Sequence, residues 1–72
     1  MPEIPDNLRK EAGEAFLGYE GAVVNRLLKR PGWKLDAGPL ERVLATGDER
    51  QVREFIDEMR RERASILNSI VV

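Results

Sequence analysis

The sequence predicts an all-α protein, a small bundle of three or four helices, with dimerisation as a further way to complete its core. Three observations carry this. Apolar residues recur at three- and four-residue spacing along most of the chain. Opposite charges stand four residues apart on the intervening faces, and no run alternates β-branched and polar residues as a half-buried strand would. With 72 residues, no Cys and no His, residues 1–72 make one helical domain without disulfides, thiolate chemistry or the commonest metal ligand and general base. A chain of this size buries only roughly 60% of its unfolded surface, so helix packing has to supply nearly all of its stability.

The first helical segment is marked by Asp6 as a capping residue and by Leu8, Ala12, Phe16, Tyr19, Val23 and Leu27 along one face, widened by Leu17, Val24 and Leu28. Pro31-Gly32 stops it after Arg26, Lys29 and Arg30, so its end is expected near Arg30. Gly18 and Gly21 lower helix propensity by roughly 1 kcal/mol each against Ala, and a break or kink is favoured there, with residues 6–30 left as either one helix or two. Ala15, Gly18 and Ala22 form a ridge of small residues open to close approach.

Gly38-Pro39 starts a short helix running to Thr46, with Leu40, Val43 and Leu44 apolar and Gly47 as a left-handed cap. Asp48, with Gln51 at capping-box spacing, starts the last helix, whose apolar face is Val52, Phe55, Ile56 and Met59. Glu49–Arg53, Arg53–Asp57 and Asp57–Arg61 are spaced for ion pairs on its outer side. The expected core is Phe16, Val23, Leu27, Leu44, Val52, Phe55, Ile56 and Met59.

Charge is banded along the chain. Residues 1–20 carry −3, residues 21–35 carry +4, residues 36–58 carry −4 and residues 59–72 carry +2, for a total of −1. That total predicts no global attraction to nucleic acid or to a membrane. No apolar run approaches the ~18 residues of a membrane span, and no signal peptide is evident, so a cytoplasmic location is expected.

Little here suggests an enzyme. Thr46, Ser65, Ser69, Tyr19 and the lysines lack a visible activating partner, and Glu54, Glu58 and Glu62 read as a solvated face, so no catalytic residue, metal site or cofactor is expected. Gly18-Tyr19-Glu20-Gly21 lacks the strand of a phosphate cradle, and its acid would repel an anion.

Two sets of binding residues stand out. Arg26, Lys29, Arg30 and Lys34 with Trp33 form a local basic patch with an aromatic, suited to nucleic acid, although the same cations also suit a helix C-terminus and can lie over Trp33. The Pro39–Thr46 helix, the tight turn and the Asp48 helix together resemble a helix-turn-helix in outline, with Arg50, Gln51 and Arg53 offered to base edges and Asp48 and Glu49 opposing phosphates. At the C-terminus, Ile66, Leu67, Ile70, Val71 and Val72 are apolar and call for cover from the chain's own core, from a second copy or from a partner protein. Ile56, Met59, Arg63, Ile66 and Ile70 have the spacing of a coiled-coil seam.

The expected function is a non-enzymatic protein–protein interaction module, such as a small adaptor, inhibitor or antitoxin-like protein, whose partner is another protein or itself. The alternative is a small nucleic-acid-binding transcriptional regulator using the basic patch.

Overall fold

The computed structural model describes residues 3–69. Ile70, Val71 and Val72 lie outside the described residues. Three α-helices and one π-helical turn account for the regular structure among them: α1 (Asp6–Ala22), the π turn Val23–Leu27 that continues it, α2 (Gly38–Ala45) and α3 (Glu49–Ser69). The all-α expectation holds. No described helix is long and apolar enough to cross a membrane.

Cap chemistry sets the start of each helix. Asp6 does not cap α1 as expected. It is the first helical residue, and the preceding Pro5 carbonyl accepts the amides of Leu8 and Arg9 at 3.0 and 2.9 Å. Asp48 does cap α3: one carboxylate oxygen accepts the Arg50 amide at 2.9 Å and the Gln51 amide at 3.4 Å, while the other accepts the Gln51 side-chain amide at 3.1 Å. Gln51 therefore bonds the capping side chain instead of reaching the capping residue's backbone. Between α2 and α3, Thr46 Oγ1 donates to the Val43 carbonyl at 2.6 Å and accepts the Asp48 amide at 3.1 Å. Gly47 takes the left-handed conformation, φ 66°, that the sequence assigned to it.

The expected break at Gly18–Gly21 is absent, since α1 runs unbroken to Ala22. The irregularity falls later, where Val23–Leu27 widens into a π turn and Leu28 donates to Val23 O at 2.9 Å. Each i→i+5 turn takes up more residues than an α turn, so positions beyond it lag behind the helical stripe. Val24 is buried, four residues beyond Glu20 on the stripe of Leu8, Ala12 and Phe16, whereas Leu27, assigned to the core from an unbroken period, is 55% exposed. The segment ends at Leu27 instead of Arg30. Lys29 closes it in the left-handed region, φ 53°, and the Arg30 amide reaches back to Val24 O at 2.7 Å.

α1 and α3 run parallel. Contacts advance together along both: Glu11 bonds Arg60 at 2.9 Å, Gly18 lies against Arg63, and Ala22 and Leu67 line one hollow. Two parallel helices need a return path, and residues 28–48 supply it, with α2 descending beside the lower part of the pair. The core sits there. Ile4, Leu8, Ala12, Val52 and Ile56 are buried together, with Leu40, Val43 and Leu44 packed on them. Phe16 and Phe55 stack above with ring centroids 6.5 Å apart. Of the expected core, Phe16, Val52, Phe55 and Ile56 are buried, Val23, Leu44 and Met59 are half-buried, and Leu27 is exposed. On the outer side of α3 the Glu49–Arg53 pair forms at 3.8 Å, together with Arg50–Glu54 at 3.2 Å. Neither Arg53–Asp57 nor Asp57–Arg61 forms; a separate ion pair joins Arg60 to Glu11 across the helices.

Two predictions follow from this packing. Phe55→Ala should destabilise the protein by about 3–5 kcal/mol in urea unfolding, and Leu27→Ala by no more than about 0.5 kcal/mol. Hydrogen bonds from the Gln51 side chain and backbone, aided by the Arg50 amide and charge, hold the Asp48 carboxyl below its ordinary 3.8. A carboxyl depressed on folding stabilises the fold above its unfolded pKa, and that contribution fades as pH falls through the folded value. Asp48→Ala should thus lower the melting temperature at neutral pH by an amount that narrows below pH 3.8. Asp48→Asn, which caps without titrating, should show no such acid transition relative to its neutral value.

Candidate functional site

Two surfaces near the C-terminal ends of the long helices gather the exposed side chains able to bind something. The first is a groove along one face of the α1–α3 pair. Its floor is Gly18, Gly21 and Ala22; Leu17, 58% exposed, and Leu67 stand at its sides with Arg26 and Arg63. The small-residue ridge gives this floor its shape. A Cβ built on Gly18 would come within 3.2 Å of Arg63 Cδ, so the stem of Arg63 already lies where a larger residue would project.

The second is the tip that follows the π turn, where residues 25–34 are exposed without interruption. Arg30-Pro31-Gly32-Trp33 forms a turn closed by the Trp33 amide on Arg30 O at 3.1 Å, with Gly32 at φ 89°. Proline second and a positive-φ glycine third are the marks of a type II turn. The turn brings its end residues together, and the Arg30 guanidinium sits 5.1 Å from the centre of the Trp33 ring. The Arg30 cation thus packs over Trp33. Trp33 is nevertheless 58% exposed, with Leu28 at 49%. Arg26, Lys29, Arg30 and Lys34 are all exposed.

Glu20 fixes the far side of this tip. Only 7% exposed, it accepts the Leu35 amide on Oε2 at 2.8 Å, pinning the descending chain to α1. Its sequence signal is its position: it follows Leu8, Ala12 and Phe16 at intervals of four, on the buried stripe.

The C-terminal candidates divide. Ile66 is buried within the chain and so is no free contact for a partner, which corrects its place in the expected binding set. Leu67 is half-buried at the groove. Met59, Arg63 and Ile66, read as seam positions, face α1 of the same chain or lie half-covered by it. Leu17, which its spacing places on the widened apolar stripe, is exposed, and Arg63, a seam position by its spacing, borders the groove.

For the helix-turn-helix outline, Arg50 and Arg53 are engaged with Glu54 and Glu49, and Asp48 and Glu49 lead α3. Thr46 and Ser69 hydroxyls bond nearby backbone carbonyls. Among the described residues no three acids are placed to hold a metal ion. No protein-family model, no curated protein and no solved structure matches this chain.

Glu20→Ala leaves the partly buried Leu35 amide without its acceptor and should destabilise the fold by about 1–3 kcal/mol. Glu20→Gln keeps an acceptor oxygen and should cost clearly less. Amide exchange at Leu35, faster in the first variant than in the second, checks the assignment.

Proposed function

We propose that this chain is a non-enzymatic interaction module, on the scale of a small adaptor, inhibitor or antitoxin-like protein, that seats a helix of a protein partner in the α1–α3 groove. The observation that carries this reading is Leu17, a large apolar side chain left 58% exposed beside a floor of glycine and alanine. Small residues let another backbone approach closely, and Leu17 and Leu67, one from each helix, supply apolar contact at the sides. Arg26 and Arg63 form no ion pair among the described residues. They favour a partner helix that carries acids beside its apolar ridge.

Support for a nucleic-acid regulator is weaker. One face of Trp33 is already occupied by Arg30, and Leu27 and Leu28 stand among the cations that would have to follow a phosphate backbone.

A photo-crosslinking residue at position 17 should yield a discrete protein adduct in cells that the same residue at position 53, on the far end of α3, does not. With that partner purified, Leu17→Asp should weaken binding about tenfold or more while leaving the melting curve unchanged. Adducts that do not depend on position, or equal affinity for Leu17→Asp, would overturn the reading.

A further inference from the structure

Net charge gave no reason to expect attraction to a lipid surface, but the fold redistributes that charge. Because α1 and α3 run parallel and α2 returns between their levels, the two basic bands, residues 21–35 and 59–69, meet at one end. The two acidic bands begin beside that end, at Glu20 and Asp36, and their other acids lie along the body toward the opposite end. The molecule is 46 Å long, several times the roughly 8 Å over which physiological salt screens a charge, so each end acts on its surroundings independently. A total of −1 therefore describes neither end.

The basic end also carries the exposed apolar side chains. Leu27, Leu28 and Trp33 are each about half exposed or more, within a stretch, residues 21–35, that holds four cations and no acid. Their display is fixed. The left-handed Lys29, the turn at Pro31-Gly32 and the Glu20 anchor at Leu35 hold the segment as an ordered protrusion.

We propose that this tip attaches the protein peripherally to an anionic phospholipid surface, with Leu27, Leu28 and Trp33 entering the headgroup layer and Arg26, Lys29, Arg30 and Lys34 facing lipid phosphates and carboxylates. Charge complementarity selects an anionic occupant, and the three apolar side chains select one with an apolar layer beneath its charges. A phosphate backbone offers no such layer. A protruding segment needs a hollow in a protein partner, whereas the interface of a bilayer yields to it, and tryptophan favours that depth because its ring is apolar with one polar edge. Binding by one such tip is weak and reversible. The inference is independent of the groove reading, which concerns Leu17 and Leu67.

Trp33 is the only tryptophan, so its fluorescence reports the tip directly. With phosphatidylcholine vesicles containing about 30 mol% phosphatidylserine, its emission should shift to shorter wavelength and the protein should co-sediment. Vesicles of phosphatidylcholine alone should produce neither effect, and about 0.5 M salt should reverse both. Lys29→Glu with Lys34→Glu should reduce co-sedimentation about tenfold or more with the helical circular dichroism unchanged, and Leu17→Asp should leave it intact. Absence of a shift and of co-sedimentation would overturn the proposal. So would binding indifferent to lipid charge, or a blue shift obtained with concentration-dependent self-association or with a single-stranded oligonucleotide but not with vesicles.

Discussion

The parallel packing of α1 on α3 is the constraint on which the rest of this structure depends. Adjacent helices joined by a short loop run antiparallel, and here two long helices run the same way. A return of about twenty residues is therefore unavoidable, and the chain uses it twice: α2 covers the lower core, and residues 28–37 cross the upper part, where Leu35 is tied to Glu20. α2 is short, so it covers one face of the pair only over part of its length. The other face keeps the open groove.

Parallel alignment also points both helix dipoles the same way, which is electrostatically unfavourable in isolation. Side chains offset it. Asp6 and Glu49 stand in the first turns of α1 and α3, while Arg26 lies in the last turn of the π segment. The banding of charge along the sequence thus has a structural meaning that is visible only once direction is known. An antiparallel pair would have mixed acidic and basic bands at both ends.

Much of the fold was legible in the residues. The start of α3 was readable because the Asp48 carboxylate satisfies free amides locally and Gln51 stands where its side chain can bond that carboxylate, and α2 because Gly38-Pro39 and Gly47 suit its two ends. The end of α1 was not. Pro31-Gly32 marks a turn in either case, but the π turn that precedes it leaves no spacing signature, so an unbroken stripe put Leu27 inside. Periodicity tells which face of a helix is apolar and leaves its direction open, so the groove beside Leu17 and the shared basic end were out of reach. Glu20 was readable as a buried position but not as a bond, because its partner, the Leu35 amide, lies fifteen residues away. The basic cluster itself was read in full, and the structure adds the exposed leucines around it.

Direction has a further consequence for how the chain acquires its structure. The Glu11–Arg60 bond spans 49 residues of sequence, and the α1–α3 core contacts have similar separations. A helical hairpin closes between neighbours and folds quickly, whereas this pairing waits on closure of most of the chain. During synthesis Leu8, Ala12 and Phe16 emerge first and meet Val52, Phe55 and Ile56 only after the return segment has been made. Until then the apolar stripe of α1 lacks its permanent neighbour, and a 17-residue helix is near the length at which an isolated one is only marginally stable in water. The nascent chain is accordingly most exposed to proteolysis and to wrong apolar contacts between the appearance of α1 and that of α3.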